Sequence, residues 1–328
     1  MNGDLVPAMI AAGGGSAMLA GIWAHEHRRE EAMRASRVRL GLRFPLSADP
    51  TSAKVALSGI AGISHSAECV FEVAMTSEGV RHAVLVPAAV RESVASVLRA
   101  SLPGLRLTEV SAPEEGRASF ALKIFAPTPV ALVTDNPDAT LPVLAALRLA
   151  PGEEVIVRWS GRPDSPGALR SREPLDRAAQ EAERVWRQKT VIPGFRVAAL
   201  AIVKAERPSR ARALGAHVAS LIRSRRGAVG ALRLTSERGG RSLGSLPKTT
   251  RTSGWMNAAE LLPCLMWPLG DRLIPGVEVG AARELPVPRQ VPREGRRLFI
   301  GRDGSGAERP VALSAEAAAT RTPTYLAQ

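Results

Sequence analysis

The sequence of 328 residues contains little cysteine, few aromatic residues and little lysine. Its two cysteines, Cys69 and Cys264, lie far apart in separate apolar segments. This excludes a disulfide framework and a cysteine zinc site, and it is typical of a reducing compartment. Aromatic residues make up 4% of the chain, while glycine and proline are frequent, so we expect small cores and many turns.

Motifs for nucleotide hydrolysis and for nucleophilic catalysis are missing from the sequence. A phosphate-binding loop needs Gly-x4-Gly-Lys-Ser/Thr, because backbone N–H groups hold the phosphates and the lysine reaches the terminal ones. The glycine-rich segment 301–310 has no lysine, and in 239–250 Pro247 precedes Lys248. No nucleophile elbow, zincin motif or catalytic cysteine signature occurs either. We therefore predict that this chain is not an enzyme and has no catalytic residue, no cofactor and no metal site.

Positive charge is abundant, with a formal net charge of +13 and a pI near 11.1. Almost all of it is arginine, since lysine occurs only at positions 54, 123, 189, 204 and 248. An excess of this size indicates an anionic partner, either nucleic acid or the cytoplasmic membrane surface. The alternative is a compositional preference for arginine in a GC-rich coding sequence, which explains the choice of arginine but not the excess of basic over acidic residues.

An uncharged segment near the N-terminus, 5–24, is long enough to cross a bilayer as a helix. Five arginines follow between positions 28 and 39, which by the positive-inside rule places the body of the chain in the cytoplasm. The segment is rich in glycine, so a buried helix or a flexible tail is the alternative. We predict a single-pass anchor in the cell membrane, continued by a charged helix over 26–40 and a break over 41–50.

Short strands and helices alternate along the rest of the chain. The apolar patterns predict strands at 68–76, 81–87, 105–110, 118–126, 154–161, 195–205 and 229–237. They predict helices at 88–104, 139–154, 172–189, 209–225 and 257–270. Proline-rich sequence over 271–310 predicts an extended surface connector.

This pattern predicts an α+β protein with two ferredoxin-like α/β modules between the anchor and a proline-rich extended C-terminal connector. The predicted parts are 1–50 for the transmembrane anchor and juxtamembrane helix, 51–160 for the first module, 161–238 for the second, and 239–328 for the connector.

Arginines cluster around the predicted helix at 209–225. They are the candidate nucleic-acid contacts: Arg207, Arg210, Arg212, Arg223, Arg225, Arg226 and Arg241. No aromatic residues are interleaved with them, so only contact with phosphates, independent of base sequence, is expected. The alternative is a solvated helix whose C-terminal cations complement its dipole.

The C-terminal third carries Asn257-Ala258-Ala259-Glu260-Leu261, Trp267-Pro268, Ile274-Pro275-Gly276, Gly301-Arg302 and the run 309–314. With these residues the chain resembles the region before the motor in actinobacterial type IV secretion, conjugative DNA-transfer ATPases, which are FtsK/HerA-like coupling proteins. The resemblance extends to the unit at 68–110 and to the N-terminal anchor.

In that family the run 309–314 leads into the phosphate-binding loop of the motor, whereas this sequence continues with "AEAAATRTPTYLAQ". We expect either a truncated gene product or a stand-alone homologue. The resemblance implies a membrane-anchored, non-catalytic component of a conjugative DNA-transfer apparatus. Its partners would be secretion-system proteins, a separate motor subunit or nonspecific DNA.

Two other functions compete with this one. The first is a soluble α/β binding protein without a role in DNA transfer, and the second is an enzyme whose site the sequence does not reveal.

Overall fold

The computed structural model describes the following residues: 32, 36–63, 68–111, 116–125, 140–145, 147–165, 177–224, 232–237, 241–250, 253–271, 274, 276–277, 296–302 and 308–313. The chain divides into two compact units, Met1–Gly280 and Ala281–Gln328. The membrane anchor predicted over 5–24 lies outside the described residues. Within the ranges given above, no helix is long and apolar enough to span a bilayer.

The first unit begins with six elements in the order β-α-β-β-α-β. They are β1 (Arg37–Arg43), α1 (Pro50–Ala61), β2 (Cys69–Thr76), β3 (Gly79–Pro87), α2 (Arg91–Ser101) and β4 (Arg106–Glu109). The same order returns with one extra helix, α4, in the second half. The elements are β5 (Phe120–Phe125), α3 (Thr140–Ala145), β6 (Glu154–Asp164), α4 (Arg177–Thr190), β7 (Gly194–Lys204), α5 (Pro208–Arg223) and β8 (Arg233–Glu237).

These strands form one antiparallel sheet in the order β4-β1-β3-β2-β6-β7-β5-β8. The strands have the same spatial order in both halves when each half is read from its outer edge: β4-β1-β3-β2 in the first and β8-β5-β7-β6 in the second. The halves meet where β2 pairs with β6, from Cys69 opposite Gly161 to Met75 opposite Val155. The α+β class is therefore confirmed. The sequence predicts a boundary between the two modules at residue 160. In the structure, one β-α-β-β-α-β set covers 37–109, and the second set, with its extra helix, covers 120–237.

The helices α1, α2, α3 and α5 pack on one face of the sheet, whereas Trp186 of α4 contacts Trp255. Alternate residues of β2 and β6 point toward them and are buried: Cys69, Phe71, Val73, Met75, Val155, Val157 and Trp159. Burial of each large apolar side chain contributes about 1.5–3 kcal/mol, so this face provides most of the stability of the unit. The helices α1 and α2 approach closely at Gly59, where a Cβ would lie 2.8 Å from Val97 Cγ1.

The sequence prediction is wrong at the start of the sheet. Residues 37–40, predicted as the end of a helix, belong to β1, and the predicted break at 41–50 contains the last residues of that strand. The segment "RVRLGLR" alternates strictly, with Leu40 and Leu42 in the core, which is the period of a strand and not of a helix. The helix α1 was not predicted, although Asp49 caps it by accepting from Thr51 N and Ser52 N, and Pro50 is its first residue.

The segment 253–271 packs against the same face as the helices. It contains the strand β9 (Trp255–Asn257), which pairs with β7, and the short helix α6 (Ala258–Leu261), which continues into a 3-10 turn at Leu262–Cys264. The Lys189 ammonium and the Glu260 carboxylate form a buried ion pair at 3.0 Å that connects this segment to α4. The predicted helix at 257–270 is thus confirmed over its first turns, and this part of the predicted connector belongs to the core.

The second unit contains an antiparallel pair of strands, β10 (Arg296–Arg302) and β11 (Glu308–Leu313). The extended connector predicted over 271–310 is therefore wrong at 296–302, because this stretch is hydrogen-bonded in a hairpin-like pair. The backbone N–H and C=O groups of paired strands are hydrogen-bonded to each other, whereas those of an isolated extended chain have no partner within the protein.

A buried histidine makes the stability of the first unit depend on pH. The His82 ring donates from Nε2 to the Met266 carbonyl at 2.8 Å and packs edge-on against Phe44. Burial lowers the pKa of His82 from 6.5 to about 4. Between these values the unfolded chain binds a proton that the folded chain does not bind, so the folded state loses stability as the pH falls.

We expect the free energy of unfolding to fall by up to about 3 kcal/mol between pH 6.5 and pH 4 through His82 alone. In His82→Gln, which keeps a hydrogen-bond donor but does not titrate, urea unfolding at a series of pH values should show a shallower slope over this window. The exposed His217 provides the control, His217→Gln. Equal slopes for His82→Gln and the unaltered protein would contradict this assignment.

Candidate functional site

Charged side chains are concentrated on the face of the sheet that the helices do not cover. In β1 the residues that alternate with the core leucines are Arg37, Arg39, Gly41 and Arg43, all of which point to this open face. The neighbouring strands add Glu72 and Arg158, each opposite the other across the junction of β2 and β6. A glutamate and an arginine, each flanked by apolar residues of its strand, are the sequence signal for this cluster.

Arg158 and Glu72 form a buried ion pair at the centre of the open face. Arg158 Nε donates to Glu72 Oε2 at 2.6 Å, and both side chains are 1% exposed. The second carboxylate oxygen of Glu72 accepts from Arg39. Arg158 Nη1 also donates to the carbonyls of Leu243 and Ser245, which satisfies the guanidinium further. A charge that is buried in this way depends on its partners, because losing one leaves the other unpaired.

The segment 241–250, called the strap here, runs over this ion pair. Leu243 packs with Ala74, Ile156 and Leu200 in a second apolar cluster on the open face. Further along the strap, the Thr249 hydroxyl donates to the Glu68 carboxylate, which also accepts from Arg37 at 2.8 Å and from Ser160. The Lys248-Thr249 pair therefore belongs to a strap whose threonine is bound to a carboxylate, which is unlike a loop that holds phosphates at the start of a helix.

A trough of about 710 Å³ lies on the open face, where residues of both halves line it together with Arg39, which pairs with Glu72. Its basic residues are Arg39, Arg43, Arg81 and Lys204. Its acidic residues are Glu78, Glu153 and Glu154, and hydroxyl groups come from Thr76, Ser77, Thr108 and Ser111. The trough is therefore a polar surface with charges of both signs, carried largely on strands of the sheet.

The carboxylates of the trough have different environments. Glu153 accepts from Arg210 Nε at 3.0 Å, and this hydrogen bond holds the pKa of Glu153 below its ordinary value. Burial raises the pKa of Glu154, although the charge of Lys204, its cross-strand neighbour, acts in the opposite direction. Glu78 pairs with Arg81 at 2.6 Å. Two of the three acids thus already have an arginine partner.

The arginines proposed from the sequence as nucleic-acid contacts do not form one cluster. Arg207 is the N-terminal cap residue of α5 and Arg223 is its last residue, so a helix of 16 residues, about 24 Å long, separates them. Arg207, Arg212 and Arg223 are exposed. Arg210 is bound to Glu153 and to the Arg148 carbonyl, and Arg241 pairs with Glu237. Arg225 and Arg226 lie outside the described residues.

No known protein family matches this chain, and no curated protein sequence matches it significantly. In the described ranges, no group of three or more His, Cys, Asp or Glu side chains is arranged to hold a metal ion. The function is therefore inferred from the geometry of the open face and of α5.

Proposed function

We propose that this chain is a membrane-anchored, non-catalytic component of a type IV secretion or conjugative DNA-transfer apparatus. Its body docks partner proteins or DNA at the cytoplasmic face of the inner membrane. The observation that supports this most is the shape of the sheet, in which two repeats of the same connectivity share one antiparallel sheet and α1, α2, α3 and α5 lie on one face. Such a layer presents an extended, rigid surface, which suits docking better than a deep enclosed site does.

We further infer that each half is a ferredoxin-like module, because the β-α-β-β-α-β connectivity and the spatial strand order agree with that arrangement. In this proposal the anchor at 5–24 precedes the modules, and the C-terminal segment leads toward a motor on a separate subunit. The competing function is a soluble α/β binding protein with no role in DNA transfer. Membrane association separates the two functions.

The first prediction concerns the anchor. The full-length protein should remain in the membrane pellet after carbonate washing, because an uncharged span of about 20 residues crosses the hydrocarbon core. A variant without residues 2–24 should move to the supernatant, and immunoblotting of both fractions measures the difference. Protease added to intact cells should leave the body undigested. Release of the full-length protein by carbonate alone would favour the soluble alternative.

The second prediction concerns DNA. Arg207, Arg212 and Arg223 are exposed along α5, so we expect weak contact with duplex phosphates, whatever the base sequence. Changing all three to Ala should reduce the slope of log affinity against log salt by up to about 3, as measured by fluorescence anisotropy with two unrelated duplexes.

The matched control for this experiment changes three arginines outside α5 that pair with glutamates: Arg91, Arg184 and Arg187. It removes the same formal charge from the chain but only arginines that are already neutralised. We expect a smaller change in slope. An equal change in both variants would mean that overall charge, and not α5, determines binding, and strong preference for one duplex would contradict phosphate contact.

A further inference from the structure

The turn between α4 and β7 exposes an apolar side chain that turn geometry does not require. Val191 is 80% exposed, more than any other large apolar side chain in the part of the chain that the structure describes. Turns favour glycine, proline, asparagine, aspartate and serine, whereas this one contains Val191 and Ile192 in succession. Ile192 packs against the core, so the exposure of its neighbour is not a consequence of a loosely packed turn.

Both ends of this turn are held by the segment that contains β9 and α6. Asn257 Nδ2 donates to the Lys189 carbonyl at 3.1 Å. Ala258 N donates to the Pro193 carbonyl at 3.0 Å. The turn therefore presents Val191 from a fixed position, and contact with a partner would cost little ordering entropy.

The turn lies at the end of the sheet where β1 begins. Arg37, the first residue of β1, is opposite Pro87, the last residue of β3. The start of β2 pairs with this end of β3 and is opposite Gly161 of β6. Gly161 is opposite Val197, so β7, which begins at Gly194, also begins at this end. The strand register thus brings the turn before β7 and the first residue of β1 to the same end of the sheet.

The position of the predicted membrane span makes this end the one nearer to the bilayer. Residues 25–36 connect the span at 5–24 to β1, and they reach at most about 40 Å when fully extended. The end of β1 at Arg43 is at the opposite end of the sheet, which is longer by far than one turn, since β7 alone has 11 residues and is roughly 36 Å long. The inference below rests on the proposed function, because it takes this span as the anchor.

The charges at this end of the sheet are compatible with an anionic lipid surface. Glu68 pairs with Arg37 at 2.8 Å, and Asp164 pairs with Arg196 at 2.6 Å. Paired carboxylates repel anionic headgroups less than free carboxylates would. Contact between the apolar turn and the bilayer would therefore meet little electrostatic opposition from these two groups.

We propose that the turn between α4 and β7 contacts the lipid bilayer, with Val191 among the headgroups and this end of the sheet facing the membrane. An exposed apolar side chain gains free energy when it leaves water, and the anchor holds the turn near the surface where this can happen. The body of the chain then has a fixed orientation. The opposite end, with the turn between β2 and β3, faces the cytoplasm, where a partner can reach it.

The test uses the full-length chain in vesicles of phosphatidylcholine and phosphatidylglycerol in equal parts. The variants Val191→Cys and Leu46→Cys carry the same environment-sensitive fluorophore. Leu46 is the matched control, because it is 47% exposed, apolar and follows β1 at the opposite end of the sheet. The native Cys69 and Cys264 are buried, so the label reacts with the introduced thiol. Circular dichroism checks that both variants are folded.

Lipid with a nitroxide near its headgroup should quench most of the emission of the label at position 191 and little of that at position 46. The emission at position 191 should also shift to the blue. Equal quenching at the two positions overturns the proposal. A blue shift at position 191 without quenching overturns it as well, because a second copy of the chain or another protein would then cover the turn.

Flotation of the same vesicles distinguishes a failure of this inference from a failure of the proposed function. Protein that does not float with the vesicles contradicts the anchor, and with it both the proposed function and the lipid contact. Protein that floats but shows no quenching at position 191 contradicts the lipid contact alone.

Discussion

The pairing of β2 with β6, with Glu72 and Arg158 buried across it, is the interaction on which the rest of the first unit depends. Each half contributes one strand and one charge to this junction. Neither charge is tolerable alone at 1% exposure, so the pair requires that the two strands meet in this register. A shift of β6 by one residue would turn Arg158 to the helix face, in the apolar core, and would leave Glu72 on the open face without its partner.

Several features of the open face follow from this junction. Arg158 holds the strap through two carbonyls, one of them that of Leu243, whose side chain packs on the open face. Glu72 positions the Arg39 guanidinium at the wall of the trough. The other face of the sheet carries the apolar core, and the Lys189–Glu260 pair connects α4 with α6. The proposed docking function uses surfaces that this frame keeps rigid.

Much of this fold could be predicted from the sequence because the interior strands are continuous apolar runs, such as "FRVAALAIVKA", and α5 has a clear helical period. The start of the sheet could not be predicted in the same way, because arginines at alternate positions of β1 resemble the solvated face of a charged helix. The trough was also missed. Its residues come from six strands and from the loops between them, and only the strand register brings Arg43, Arg81 and Glu154 to one surface. The candidate arginines of α5 are visible in the sequence, but the pairing of Arg210 with Glu153 depends on the tertiary structure.

The most direct test of this account is the free energy of unfolding of Glu72→Ala, compared with Glu78→Ala, by urea denaturation followed with both tryptophan fluorescence and circular dichroism. We predict that Glu72→Ala lowers it by about 3–5 kcal/mol, because the buried Arg158 and the partly buried Arg39 lose their carboxylate. The exposed Glu78–Arg81 pair should contribute less than about 1 kcal/mol. Both probes should report one coincident transition, since the halves share a sheet. Equal effects of the two substitutions, or separate transitions for the two halves in the unaltered protein, would contradict the central role of the junction.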